Sequence, residues 1–113
     1  MAENMEYFGG WIIVLVTASN INEARKIAKT LVEKRLATCV NIVEKVDSMY
    51  WWENKVEEAT ESLLVIKTKQ HLFKELIHVI KENHSYSVPE IIAIPILMGS
   101  SEYMKWFDEN VKQ

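Results

Sequence analysis

The chain has 113 residues, of which 49% are hydrophobic and 26% charged, and this fits one folded domain with a single hydrophobic core. Its 13 basic and 16 acidic residues give a net charge of -3, which excludes a broad cationic surface for nucleic acid. The longest apolar run, residues 11–16, is far shorter than the ~20 residues that a membrane-spanning helix needs. We therefore expect neither a nucleic acid partner nor a membrane.

The first ten residues end in Gly9-Gly10 and predict a flexible tail ahead of a single domain over residues 11–113. They have neither the basic start nor the apolar segment of a secretion signal. The chain has one cysteine, Cys39, which cannot form an internal disulfide. These features predict a cytoplasmic protein.

The first strand and the first helix are predicted in the next 24 residues. Residues 11–17 form an unbroken run rich in β-branched side chains, which is typical of a buried strand. Asn20 followed by Glu23 resembles a capping box and predicts a helix that continues to about Lys34. Its buried face is predicted from helical spacing to contain Ala24, Ile27, Ala28, Leu31 and Val32.

A long β-hairpin is predicted next, because residues 38–52 alternate with a period of two. The alternation is interrupted at Glu44-Lys45, which indicates a bulge or bend. Glu53-Asn54 predicts a tight turn, since Asn tolerates left-handed backbone, and the return strand continues from Val56 to Lys67.

The second half of the chain predicts a helix, a strand and a terminal helix. Thr68 is predicted to cap a helix that ends near Asn83-His84. Its buried stripe would contain Phe73, Leu76, Ile77 and Ile80. After a loop over residues 85–90, residues 91–97 predict the fourth strand. Ser100 or Ser101 then caps a short helix, whose apolar side would contain Tyr103, Trp106, Phe107 and Val111.

The order βαββαβ plus a C-terminal helix predicts an α+β, ferredoxin-like fold with a four-stranded antiparallel sheet and two helices on one face. The strand order would be 4-1-3-2, and the fourth strand would be an edge, where Pro95 is tolerated.

Several of these strands are apolar on both faces, so we expect the helix-free face to be covered as well. The terminal helix is too short to cover it alone, which predicts packing between subunits in a closed cyclic assembly. Trp51 and Trp52 point to opposite sides of a strand and cannot both enter one core. We therefore predict an interface at Tyr50, Trp51 and Trp52.

Four segments carry a resemblance to a known family. They are residues 37–42 (ATCVNI), 50–58 (YWWENKVEE), 66–68 (IKT) and 84–91 (HSYSVPEI). Together they closely resemble the CutA family, the divalent-cation-tolerance proteins, over about Ile13 to Val111. The resemblance implies a cytoplasmic homotrimer of ferredoxin-like subunits, similar in architecture to the PII signalling trimers and linked to tolerance of copper and other divalent cations. The chain departs from the family pattern at Asn54, where Gly is frequent, and at Ser87, where an acidic residue is frequent.

Three residues are candidate metal ligands: Cys39, His84 and Glu90. Cu(I) prefers sulfur and imidazole nitrogen, but no second cysteine lies close enough to Cys39 to form a chelate. The alternative is that Cys39 is a small buried hydrophobic residue. His84 is either a ligand or a helix-capping histidine, and Glu90 is either a ligand or the ion-pair partner of Lys67. His71 and His78 are expected to be solvated.

Trp52, Lys67 and Tyr86 are predicted to line a ligand cleft between subunits, although interface packing is the alternative for the two aromatic residues. No phosphate loop, catalytic serine motif or HExxH motif is present, so we expect neither an enzyme nor an organic cofactor. The leading hypothesis is a trimer that binds copper or another divalent metal ion at this cleft. The alternatives are a PII-like module that binds a small anionic metabolite and a structural trimer that organises other proteins.

Overall fold

The computed structural model describes residues 5–7 and 9–113. Nine elements of regular structure follow one another in chain order, apart from a 3₁₀ turn over Gln70–Leu72. They are β1 (Met5–Tyr7), β2 (Trp11–Ala18), α1 (Ile21–Glu33), β3 (Cys39–Trp52), β4 (Lys55–Lys69), α2 (Phe73–Glu82), β5 (Ile91–Pro95), β6 (Met98–Ser100) and α3 (Ser101–Glu109).

Strands β2 to β5 form one antiparallel sheet in the order β3-β4-β2-β5. This is the order that the sequence predicts, read from the other edge. Pro95 lies in β5, which is an edge strand, and its missing N–H therefore breaks no ladder hydrogen bond in the sheet interior. The mixed fold with an antiparallel sheet and helices is confirmed.

The main core lies between one face of the sheet and the two helices α1 and α2. Alternate residues of β2 and β4 meet the apolar stripes of the helices there, and all are fully buried: Val14, Val16, Leu64, Ile66, Ile27, Leu31, Leu76 and Ile80. Burying a side chain of this size stabilises the fold by roughly 1.5–3 kcal/mol. Val32 and Ile77 were predicted in this core, but Val32 is exposed and Ile77 is half-buried. Val79 is buried on α2 instead, together with Leu76 and Ile80.

Helix α1 begins as predicted. The Asn20 side chain accepts a hydrogen bond from the Glu23 N–H at 2.9 Å. The Glu23 carboxylate reaches back to Ser19, whose N–H and hydroxyl both donate to Oε2 at 2.8 Å. The first turn is therefore closed from both directions, as in a capping box shifted by one residue.

The hairpin of β3 and β4 extends beyond the rest of the sheet. Its register shifts between Val43 and Val46, which confirms the bulge at Glu44-Lys45. Glu53 and Asn54 both have positive φ, 50° and 65°, as a two-residue hairpin turn requires. Beyond Ser62, which pairs with Ala18, β4 pairs with β3 alone. We call residues 46–61 the arm.

The prediction that Thr68 caps α2 is wrong. Thr68 lies within β4, opposite Ile12, and its buried hydroxyl donates to the Leu36 carbonyl at 2.6 Å. Strand pairing and this hydrogen bond occupy the residue, so the chain enters α2 through the 3₁₀ turn, without a side-chain cap.

The predicted fourth strand, residues 91–97, ends early at Pro95. The Ile96 N–H still donates to the Trp11 carbonyl, but β2 begins at Trp11 and offers no further partner. Residues 98–100 instead pair with Met5–Tyr7. The predicted flexible tail, residues 1–10, thus contains one paired strand, and its residues 1–4 and 8 lie outside the described residues.

Helix α3 builds a second, smaller core on the opposite face of the sheet. The Ser100 side chain caps the helix by accepting from the Tyr103 N–H at 3.4 Å. Met104 and Phe107 pack on Trp11, and Val111 reaches the main core. Tyr103 and Trp106, predicted on the same apolar side, remain partly exposed, because only one side of α3 faces the sheet.

The remainder of this second sheet face is uncovered within one chain. We call it the open face. Its apolar side chains are half-buried or exposed, and they are Ile13, Leu15, Val43, Leu63, Val65, Ile92 and Ile94. Helix α3 covers the end near Trp11. The sequence predicts only that this helix is too short to cover the face alone. In the described part of the chain, no helix is both long and apolar enough to cross a membrane.

Candidate functional site

A cleft of about 770 Å³ lies between the arm and the loop that leads into β5. The arm, the end of β2 and this loop provide its walls. The residues that line it are Thr17, Asp47, Ser48, Met49, Tyr50, Trp52, Glu61, Tyr86, Ser87, Val88, Pro89 and Glu90. Its floor continues the open face, because Glu61 is two residues before Leu63 on β4 and its side chain is therefore on the same side of the sheet.

Glu61 is a buried carboxylate at the floor of the cleft, with only 6% of the residue exposed. The Tyr86 hydroxyl donates to its Oε2 at 2.8 Å. Burial, together with the hydrogen bond and the negative charge of Glu61, raises the pKa of the Tyr86 phenol well above its usual range. Tyr86 is therefore a neutral hydrogen-bond donor, and no basic side chain among the described residues forms an ion pair with Glu61.

His84 is fully buried beside this pair, with its ring 4.8 Å from the Tyr86 ring. Its Nδ1 accepts from the Tyr86 N–H at 3.0 Å, so the proton of the neutral ring is on Nε2. Nε2 lies 2.8 Å from the Thr17 carbonyl and donates to it. Both ring nitrogens are thus engaged within the chain, which favours a structural role for His84 over the ligand role.

Glu23 clamps the same loop to the start of α1. Its Oε1 accepts from the Ser85 N–H at 2.6 Å, while Oε2 accepts from Ser19. Burial alone would raise the pKa of Glu23, but the hydrogen bonds from Ser19 and Ser85 outweigh it and lower the pKa from 4.5 to about 2. The carboxylate form of Glu23 therefore stabilises the folded loop.

This clamp predicts a pH dependence of stability. A folded-state pKa below the unfolded value contributes stability that is present above pH 4.5 and lost as the pH falls toward 2. The Glu23 side chain is 12% exposed, so we expect about 3 kcal/mol for the full shift. Urea unfolding of the wild type and of Glu23→Gln should differ by this amount at pH 6 and converge near pH 2. Glu33→Gln, on the exposed end of α1, is the control; a difference that stays constant with pH would contradict the clamp.

The structure brings together only part of the predicted site. Trp52, Tyr86 and Glu90 line the cleft with Tyr50, and His84 lies behind Tyr86. Trp51 lies on the other side of the arm and is 73% exposed. Among residues 5–7 and 9–113, no group of three or more His, Cys, Asp and Glu side chains is placed to hold a metal ion.

Cys39 and Lys67 lie outside the cleft lining. They are directly opposite each other on β3 and β4, at the end of the open face near α3. The Lys67 ammonium is 5.9 Å from the centre of the Tyr103 ring, and Glu90 is not its ion-pair partner. The ion pair of Lys67 with Glu90, which the sequence suggested, is therefore not formed within the chain.

Two acidic residues of the cleft were missed by sequence reasoning: Asp47 and Glu61. Their signal was available, since Glu61 takes the position on β4 that continues the apolar alternation of Leu63 and Val65. With Glu90 they place three carboxylates in the lining, and none of the described lining residues is a Lys, Arg or His. The cleft is thus acidic, with an aromatic wall at Tyr50 and Trp52.

Comparison with known proteins identifies the family. The family model of the CutA1 divalent ion tolerance protein matches residues 12–110. The chain belongs to the CutA1 family. The CutA1 match covers the four-stranded sheet except Trp11, all three helices and every residue of the cleft lining.

The CutA relatives include two prokaryotic proteins of similar length. The divalent-cation tolerance protein CutA of Thermus thermophilus is 49% identical over 87% of this chain and 95% of its own length. That of Archaeoglobus fulgidus is 46% identical over 88% of this chain and 96% of its own length. The solved structure of the Thermus thermophilus protein superposes with a TM-score of 0.88 and covers 90% of this chain and 99% of that one.

Plant CutA relatives are longer. The chloroplastic CutA 1 of Oryza sativa is 41% identical over 90% of this chain, which spans only 58% of the rice protein's length. The solved Archaeoglobus fulgidus structure is described as a periplasmic protein. The relatives therefore bear descriptions of more than one compartment, and the cytoplasmic location of this chain stays a prediction.

Proposed function

We propose that this CutA-family chain forms a homotrimer that binds copper or another divalent cation in the cleft, with a neighbouring subunit completing the ligand set. The observation that carries the proposal is the lining of the cleft, which contains three carboxylates and no basic side chain. Such a lining attracts a cation and repels an anion. The family and the relatives described above are named for tolerance of divalent ions, which agrees with a binding role without catalysis.

The need for a second subunit follows from the ligands. Carboxylate oxygens alone suit hard cations, whereas copper prefers sulfur or nitrogen as well. Glu90 is in the lining, but Cys39 lies at the far end of the open face of the same chain. A neighbouring copy that covers the open face would bring its own Cys39 toward the cleft. Glu90 and the Cys39 of that copy are the proposed ligands.

The trimer is supported by the apolar open face. A sheet face that carries Leu15, Leu63 and Val65 half-exposed is costly in water, at about 25 cal/mol for each Å² of apolar surface. Covering it in a closed ring removes this cost from every subunit. The PII-like alternative, an anionic metabolite bound by Lys67 in the same cleft, has less support. A Lys67 that a neighbouring subunit brought into the cleft would face a lining with three carboxylates, so its charge would be compensated by the protein and not left free for an anion.

Calorimetric titration of the assembled protein with Cu(II), and with Cu(I) under reducing conditions, tests the proposal. We expect one site for each subunit, and we expect Glu90→Gln and Cys39→Ser each to lower the affinity at least tenfold. Glu33→Gln removes an exposed carboxylate outside the cleft and should leave the titration unchanged. Unaltered heats in both cleft variants would exclude these ligands, and a thermal shift with anionic metabolites alone would favour the alternative.

A further inference from the structure

Glu61 is a buried anion without a cation in its own chain. It is 6% exposed, its only hydrogen-bond partner among the described residues is the neutral Tyr86 hydroxyl, and no ion pair neutralises it. A carboxylate taken out of water is costly unless a positive group compensates its charge. The position of Glu61 in the cleft lining leaves room for such a group to enter.

Lys67, at the other end of the open face, is a cation that lacks an anionic partner among the described residues of its own chain. It is half-buried between Ile13 and Cys39, its cross-strand neighbours. Its ammonium lies over the Tyr103 ring, 5.9 Å from the ring centre, which is a weak cation–π contact and does not neutralise the charge. By contrast, Lys69 pairs with Asp108 at 3.0 Å. In the part of the chain that the structure describes, Lys67 has no carboxylate partner.

One chain cannot bring these two groups together. Both lie on β4, six residues apart, which is about 20 Å along a strand. A ring of identical subunits can do so, because each interface of a ring joins two different patches of the same chain. The open face has such a pair of patches, with a buried anion at one end and an unpaired cation at the other.

We propose that the Glu61 carboxylate of each subunit pairs with the Lys67 ammonium of the neighbouring subunit, so that the cleft is closed by a cation from the next chain. This inference rests on the assembly proposed above and specifies its register. Cys39 is directly opposite Lys67 in the sheet, so the same register brings the neighbour's Cys39 to the mouth of the cleft, near Glu90.

A double-mutant cycle on subunit association tests the pairing. Glu61→Gln and Lys67→Met each should lower the association constant at least tenfold, or about 1.4 kcal/mol at 25 °C. The double variant should be no weaker than the weaker single variant, since both changes remove the same interaction. Lys67→Arg, which keeps the charge, should assemble like the wild type. If the losses of association free energy in the two single variants add up in the double variant, the pairing is wrong.

Lys69→Met is the matched control. It removes a lysine two residues away on the same side of β4, but one that pairs within its own chain. It should lower the thermal stability of the subunit without changing its association. A loss of association as large as that of Lys67→Met would mean that any lysine at this edge acts in the same way, and would overturn the specific pairing.

Cross-linking gives a geometric readout, provided that it is done at a protein concentration at which light scattering shows the double-cysteine variant to be assembled. In a Cys39→Ser background, Glu61→Cys and Lys67→Cys in one chain place two thiols too far apart for a short bis-maleimide to join within that chain. We expect covalent trimers on a denaturing gel. If the unmodified protein is itself monomeric by light scattering, the proposed assembly fails as well. If the double-cysteine variant is trimeric but its chains do not cross-link, only this pairing fails.

Discussion

Trp52→Asp is expected to separate the proposed trimer into single subunits. Trp52 is 48% exposed within one chain and forms a wall of the cleft, on the side of the arm that also bears Tyr50 and Glu61. A charge in place of this ring would be stranded in an apolar interface, at a cost on the order of 2–4 kcal/mol for each contact between subunits. Size-exclusion chromatography with light scattering should give the mass of one chain at micromolar concentration.

Trp106→Asp is the control for this experiment. Trp106 is 43% exposed, nearly as much as Trp52, but it lies on α3 and outside the cleft. It should leave the mass of the assembly unchanged. If Trp52→Asp also retains the full mass, the arm does not contribute to the interface and the proposed cleft between subunits is wrong.

Phe107→Ala is expected to cost about 3–5 kcal/mol of unfolding free energy. Phe107 is fully buried and joins Met104 and Trp11 in the second core, which has few other members. Phe107 is first by volume among the fully buried side chains of the described residues, so its truncation leaves a large cavity. Urea unfolding at a fixed protein concentration measures the loss.

The second core also offers a control on the same helix. Trp106→Ala removes a larger side chain that is partly exposed, and it should cost less than 1 kcal/mol. A loss below 1 kcal/mol for Phe107→Ala as well would show that α3 contributes little to the stability of the sheet.

The elements with strong local signals were predictable from the sequence. Asn20 and Glu23 marked the start of α1, and the interrupted alternation at Glu44 marked the bulge. The strand order also followed, because few arrangements of βαββαβ satisfy short connections. Thr68 was misread because a threonine before an apolar stripe is equally compatible with a helix cap and with a position near the end of a strand. Only its hydrogen bond to the distant Leu36 carbonyl decides between them.

The candidate site was less predictable, because its geometry depends on contacts between distant segments. Nothing local indicates that Glu23 holds Ser85, or that both nitrogens of His84 are used by Thr17 and Tyr86. The missed residue Glu61 shows how the prediction can be improved. A charged side chain that continues an apolar alternation on a buried strand is either costly or compensated, and it should be treated as a candidate from the start.

The geometry of the arm makes its folding dependent on the association of subunits. Beyond the point where β2 ends, β3 and β4 pair only with each other, and an isolated two-stranded ribbon is marginally stable in water. In the proposed ring, each ribbon would gain its order from the adjacent chain. Dilution would then unfold the end of the arm and dissociate the subunits in a single concentration-dependent transition.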